Sequence, residues 1–327
     1  MRAVLCKELG PPESLVVEER DDLIAEPGTV VVDVKAAGVN FPDTLIIQGL
    51  YQFKPELPFS PGSEAAGVVR AVGEGVGAVA PGDRVIALPG AWGAFAEQLR
   101  VAPEQLVPIP DGVGFDAAAA LVLTYGTSHY ALKERATLQP GETVLVLGAA
   151  GGVGIAAVQI AKALGARVIA AASSKEKLAV CRDNGADELI DYTTEDLGAR
   201  LKELTANAGV DVVYDPVGGD YSEVALRRMA WGGRYLVIGF AAGEIPKIPL
   251  NLVLLKSCSI VGVFWGAFTM REPARNQELM AELMGWLADG TVKPVVSKTY
   301  PLDRVADALN DLLARRVTGK AVLVTGG

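Results

Sequence analysis

The chain has 327 residues, half of them apolar, with 30 basic and 39 acidic side chains for a net charge of −9. That length exceeds what one hydrophobic core supports, so two domains are expected, and the acidic balance excludes nucleic acid as a partner of the whole surface. Three unclustered cysteines, Cys6, Cys181 and Cys258, read as reduced thiols of a cytoplasmic protein; residues 1–8 are too charged for a secretory signal, and no apolar run is long enough to span a bilayer.

Residues 1–122 carry short β-rich runs, at 29–34, 67–72 and 83–88, separated by Pro27-Gly28, Pro61-Gly62 and Pro81-Gly82. Many short strands joined by such turns predict a compact barrel or sandwich. From residue 123 the rhythm changes to strand, helix, strand, helix. A strand at 142–147 leads through a glycine cluster into a helix at 155–164; a strand at 167–171 and a helix at 175–184, stopped by Asn184-Gly185, follow. Residues 188–191 are a short strand, and Thr194 is expected to cap a helix with Glu195 and Asp196 in its first turn. Further strands at 210–214, 234–238 and 259–264 are near-continuous apolar runs, the mark of parallel strands covered on both faces. Residues 123–268 are therefore expected to form a doubly wound α/β domain with a parallel sheet. The tail, 269–327, holds a helix at 276–288, a strand at 294–298, a helix at 302–315 and a strand at 320–324. It is too small for a core of its own and is expected to return to the first domain.

The cluster Gly148-Ala149-Ala150-Gly151-Gly152-Val153-Gly154 lies between a strand and a helix. Glycines there let the backbone turn tightly and approach a pyrophosphate, whose charge meets the positive helix N-terminus. A dinucleotide is the expected ligand. No Gly-Lys-Ser/Thr follows, so a nucleotide-hydrolysing phosphate loop is not indicated. Where a cofactor with a free ribose 2′-hydroxyl calls for an acid after the second strand, this chain has Ser173-Ser174-Lys175-Glu176-Lys177. Hydroxyls and ammonium groups suit a 2′-phosphate, which selects NADPH over NADH. Zinc is not expected in either a structural or a catalytic role. The chain has one histidine, His129, no cysteine near a plausible cleft, and too few cysteines for a four-cysteine lobe.

With these motifs in place, Gly38-Val39-Asn40-Phe41-Pro42-Asp43-Thr44, Pro61-Gly62-Ser63-Glu64-Ala65-Ala66-Gly67 and Ala149-Ala150-Gly151-Gly152-Val153-Gly154, the whole chain resembles the zinc-independent quinone oxidoreductase branch of the medium-chain dehydrogenase/reductase superfamily, which includes zeta-crystallin. Ser63 stands where zinc-dependent relatives carry a histidine, and Asn40 near their ligand cysteine. The resemblance implies a Rossmann domain beside a GroES-like barrel that the C-terminal tail completes. It implies that Asn40, Asp43 and Tyr51 are catalytic, with Asn40 donating to the substrate oxygen, and that Phe41 and Thr44 lie beside the nicotinamide. Thr127 would contact the nicotinamide end, Gly151, Gly152 and Val153 the pyrophosphate, and Ser173, Ser174 and Lys177 the 2′-phosphate. Tyr192 would lie along the adenosine, and Phe240, Ala241, Phe264 and Trp265 would flank the nicotinamide ribose. The aromatics at 264, 265 and 268 are equally readable as core.

The expected activity is hydride transfer from NADPH to a quinone, with the cofactor carrying the hydride and the protein supplying orientation and electrostatics. Conjugated enals, enones and acryloyl thioesters are alternative substrates for the same chemistry, and an NADPH-binding structural protein of the crystallin kind is the alternative of another class. His129, a lone histidine among apolar neighbours, reads as structural. The strand at 259–264 would end the sheet as a long apolar edge, so a homodimer joined through it is expected.

Overall fold

The computed structural model describes residues 1–326. Strands β1 (Arg2–Leu5) and β2 (Val16–Glu19) pair with each other as a small antiparallel ribbon. The ten-residue β3 (Val30–Val39) is the hub of the first sheet. It runs antiparallel to β4 (Ala65–Val72) and, on its other flank, to β6 (Gln98–Val101); β4 continues to β5 (Arg84–Ala87) and β7 (Leu106–Pro108). The alternating valines of β3 explain its place. Val30, Val32 and Val34 bury into one core with Ala65, Val69, Val85, Phe95 and Leu99. Between β3 and β4 a single short helix, α1 (Phe41–Ile46), begins at Asn40 with Pro42 in its first turn, and α2 (Phe115–Ala119) closes the N-terminal part.

Helix α3 (Val122–His129) runs on into a π-helical turn at Tyr130–Arg135. The order is then β8 (Thr143–Leu147), α4 (Gly152–Ala163), β9 (Arg167–Ala172), α5 (Lys175–Asp183), β10 (Glu188–Asp191), α6 (Leu197–Leu204), β11 (Val210–Asp215), α7 (Asp220–Arg227), β12 (Met229–Val237), α8 (Leu250–Lys256), β13 (Ser259–Gly262), α9 (Trp265–Arg271) and α10 (Pro273–Asp289). The sheet order is β10-β9-β8-β11-β12-β13, with every pairing parallel. The direction of winding reverses between β8 and β11, where ligands of such sheets bind.

The chain then returns. β14 (Val296–Pro301), α11 (Val305–Leu313) and β15 (Lys320–Val324) belong with the first sheet, β15 pairing antiparallel with β3 through Ala321↔Val39. The two compact units are residues 1–123 with 294–327, and residues 124–293. The boundary expected after residue 268 lies at 293. Helix α10 stays with the second unit: it buries Leu279, Met280, Leu283 and Leu287, its Trp286 ring meets His129, and Arg275 and Glu282 pair with Glu134 and Lys133 on the π-helical turn. Two local expectations also change. Asp196, not Thr194, caps α6, accepting from Ala199 N at 2.6 Å. The last strand of the parallel sheet stops at Gly262, because Phe264 and Trp265 start a helix.

Candidate active site

In the second unit, residues 151–153 and 173–177, Tyr192, Phe240 and Ala241, and Phe264 follow the carboxyl ends of β8, β9, β10, β12 and β13, and Thr127 lies on α3. After β8 the chain turns at Gly148 (φ +57°), and Gly151 is the N-cap of α4 with no side chain capping the helix. A Cβ at Gly154 would lie 2.4 Å from the Gly148 carbonyl oxygen, so the close turn requires glycine there. The backbone N–H groups at Gly152 and Val153 open the twelve-residue α4, which is the geometry and charge that a pyrophosphate needs. After β9, Ser174 caps α5 by accepting from Lys177 N at 3.3 Å, and Lys177 Nζ lies 3.1 Å from Ser173 Oγ. Glu176 is exposed on α5 with its carboxylate accepting from the Ser174 hydroxyl, and no acid stands between β9 and the cap. This donor set fits a phosphate monoester on the ribose.

Tyr192, just past β10, has its ring 4.5 Å from that of Tyr221, the two planes tilted by 40°. The Gly239–Gly243 loop is tied down by Ala241 N and Ala242 N donating to Pro216 O and Val217 O, leaving Phe240 and Ala241 exposed. Thr127 is half-buried on α3 and Phe264 is half-exposed ahead of α9. Trp265 departs from expectation. It is buried, its indole Nε1 donates to Asn276 Oδ1 at 3.1 Å, and its ring lies where a Cβ on Gly126 would clash at 2.8 Å. It is a core residue of this unit, since a ring so enclosed has no face left for a ribose. His129 is buried as well, with its ring 5.1 Å from Trp286 and Nε2 3.0 Å from Glu282 Oε2; burial lowers its pKa.

Asp215, which no sequence motif marks, organises the neighbouring loop. This buried carboxylate at the end of β11 accepts from Val217 N (2.7 Å), Gly218 N (2.9 Å) and Ser222 Oγ (2.8 Å), and from the Tyr235 hydroxyl.

In the first unit, the β3–α1 junction carries the residues expected to be catalytic. Asp43 folds back so that its Oδ2 accepts from Asn40 N at 2.7 Å, while Oδ1 is buried without a partner among the described residues. Burial pushes the Asp43 carboxyl up to about 7, with Glu64 adding to the rise and the Asn40 N–H and Lys320 opposing it. The hydroxyl of half-buried Tyr51 is raised too, by burial and by the Asp43 charge. Phe41 is half-buried, but Thr44 is fully buried and donates to Phe41 O at 2.7 Å, so its hydroxyl serves the helix start rather than a ligand.

Asn40 also differs from its expected role as a donor to substrate. Its Nδ2 donates to Glu64 Oε1 (3.0 Å) and Gly38 O (3.2 Å), and its Oδ1 accepts from Lys320 Nζ. Both amide hydrogens are committed, so no donor remains for a substrate oxygen. The buried Glu64 and Lys320 behind it were missed. Glu64 was visible only as a motif residue and Lys320 only as the start of a strand.

Among the described residues, no group of three or more His, Cys, Asp or Glu is placed to hold a metal ion. Two family profiles match the chain, the alcohol dehydrogenase GroES-like domain over residues 26–111 and the zinc-binding dehydrogenase over residues 152–285. A quinone oxidoreductase-like protein 2 homolog of Nematostella vectensis is 44% identical over 99% of this chain and 89% of its own. A quinone oxidoreductase of Pseudomonas aeruginosa is 40% identical over 96% of this chain and 97% of its own. The crystal structure of the Escherichia coli quinone oxidoreductase complexed with NADPH superposes with a TM-score of 0.90 at 33% identity, covering 99% of this chain and all (100%) of the other. The chain therefore belongs to the zinc-independent quinone oxidoreductase branch of the medium-chain dehydrogenase/reductase superfamily. It is an enzyme, an oxidoreductase that works with a nicotinamide dinucleotide.

Proposed function

We propose that this chain reduces quinones with NADPH. The observation that carries the cofactor choice is the Ser173, Ser174 and Lys177 group at the end of β9, with Lys177 Nζ already directed at Ser173 and no carboxylate at the position that would bind a free 2′-hydroxyl. The E. coli relative solved with NADPH and the relatives named quinone oxidoreductase support the same reading. When bound, NADPH supplies the hydride.

The chain's own part is to hold the dinucleotide at the α4 N-terminus and to supply a proton as negative charge grows on the quinone oxygen. Tyr51 is the proton donor in this reading. Asp43 tunes it: neutral Asp43 leaves Tyr51 a better acid, and ionised Asp43 makes it a worse one. We further read the protein as a cytoplasmic homodimer. The three buried cysteines, none in a disulfide, support the compartment, and the exposed β13 edge supports the dimer.

The test is titration with NADPH and NADH by nicotinamide fluorescence, followed by steady-state turnover on 1,4-quinones, enals and acryloyl thioesters. NADPH should bind more tightly. Lys177→Ala should weaken NADPH by ~1–3 kcal/mol, the scale of a charged hydrogen bond, and leave NADH nearly unchanged. Equal affinities would defeat the cofactor reading. Turnover restricted to enals or thioesters would move the substrate class, and binding without any turnover would favour a structural NADPH-binding protein.

A further inference from the structure

Lys320 is 4% exposed and Glu64 is fully buried, a placement that long charged side chains adopt only when paired. All three ammonium hydrogens of Lys320 have acceptors: Glu64 Oε1 (2.9 Å), Val39 O (3.0 Å) and Asn40 Oδ1. Glu64 is as fully used, with Oε1 shared between Lys320 and Asn40, and Oε2 accepting from Leu123 N at 2.8 Å. The surrounding backbone is shaped for the pair. A Cβ at Gly38 would lie 2.6 Å from Glu64 Oε1, and Gly319, immediately before Lys320, has φ +63° with Val295 O only 2.3 Å from an added Cβ. A buried ion pair is a poor device for stability alone, since apolar residues of the same volume commonly do as well or better. What the pair achieves is orientation. It joins the last strand of the chain to β4 and to the β3–α1 junction, on which Asp43 depends through the Asn40 N–H.

We propose that Lys320 and Glu64 are positioning residues for the proton-supplying half of the site, fixing the Asn40 junction and, through it, the carboxyl of Asp43. The inference deepens the reading of Asp43 and Tyr51 given above and rests on it. Four features surround Asp43: Lys320 from β15, Glu64 from the start of β4, Tyr51 beyond α1, and the Asn40 N–H. Helix α11, which packs on α1, adds Val305, Ala308 and Leu309 to the core containing Ile46 and Ile47. The two charges act on Asp43 in opposite senses, Lys320 lowering and Glu64 raising its pKa, while the Asn40 N–H that they hold in place lowers it. Loosening that N–H should raise the Asp43 titration midpoint when both are removed, and removing Lys320 alone should raise it as well.

The experiment compares wild type, Lys320→Arg, Lys320→Met and the double variant Lys320→Met/Glu64→Gln, the last leaving no unpaired buried charge if Lys320→Met does not fold. Carbon-detected NMR of Asp carboxyl-labelled protein, with the Asp43 signal assigned by its loss in Asp43→Asn, reads the midpoint without turnover. In parallel, kcat is measured against pH with NADPH and 1,4-benzoquinone, and NADPH affinity by fluorescence. The double variant should show a higher midpoint, kcat lowered at least tenfold with its alkaline limb displaced upward, and NADPH affinity within threefold of wild type. Lys320→Arg should retain the wild-type midpoint and most of kcat. A double variant with an unmoved midpoint and undiminished kcat overturns the proposal. So does a kcat loss with an unmoved midpoint that Lys320→Arg does not rescue, because that is the signature of packing alone. Failure of the underlying reading looks different: wild type would show no turnover of the quinone, or Asp43→Asn would keep the alkaline limb.

Discussion

Asp43 pays an unusual cost for its position. Its carboxyl is fully buried and titrates near 7 rather than near 4, so the folded chain binds that proton more tightly than the unfolded chain does. The contribution of this group is most favourable below about pH 4 and is lost as pH rises from about 4 to about 7, and above that the ionised form costs on the order of 4 kcal/mol relative to a neutral group. Asp43→Asn removes the titration while keeping an oxygen for the Asn40 N–H. Its stability relative to wild type should therefore rise between pH 5 and pH 8 in urea unfolding. A constant offset across that range would show that Asp43 is ionised throughout. Asn40 teaches the complementary point. An asparagine in a family motif invites the role of donor to substrate, but its amide is spent on Glu64, Gly38 and Lys320.

Among the elements, β13 is an edge strand, at the end of the parallel sheet opposite β10. It pairs with β12 on one side, and its residues lie open, with Ile260 at 41% exposure. The helix that leads into it, α8, exposes Leu250, Leu254 and Leu255, with Leu254 at 78%. Helix α10, which could have covered the edge, packs on α9 and on the π-helical turn instead. An apolar edge and an apolar helix side by side are the surface that a second copy would bury across a two-fold axis. Sedimentation equilibrium should find a species of twice 34.1 kDa at micromolar concentration. Ile260→Pro, which deletes an N–H that faces away from β12, should split it or unfold it. A monomer in the first measurement, or an undisturbed dimer in the second, would put the interface elsewhere or nowhere.

At the scale of the whole molecule, the described residues fall into two compact units with separate core clusters, the first of which takes in the segment that begins at Pro294. Neither unit, among the described residues, assembles a cluster of metal-ligating side chains. Purified protein should hold far less than one zinc per chain by elemental analysis, and chelators should leave activity unchanged. Stoichiometric zinc would overturn both the ligand arithmetic and the branch to which the chain is assigned.

The doubly wound sheet, the glycine turn and the Ser173–Lys177 group were legible in the linear sequence because each is local. Apolar runs mark parallel strands, glycines at fixed spacing mark the turn, and the residues after β9 are consecutive. Tertiary structure alone decided what depended on partners distant in sequence. Trp265 is core because Gly126 and Asn276 come to meet it. The boundary lies at 293 because the buried face of α10, with Trp286 against His129, finds its partners in the second unit. Lys320 bears on the site only because β15 lies antiparallel to β3, which carries an ammonium group from the end of the chain to Asn40 and Glu64. Periodicity reports which side of an element is apolar. Which charge a buried carboxylate will meet is set by strand order, and no local pattern encodes that.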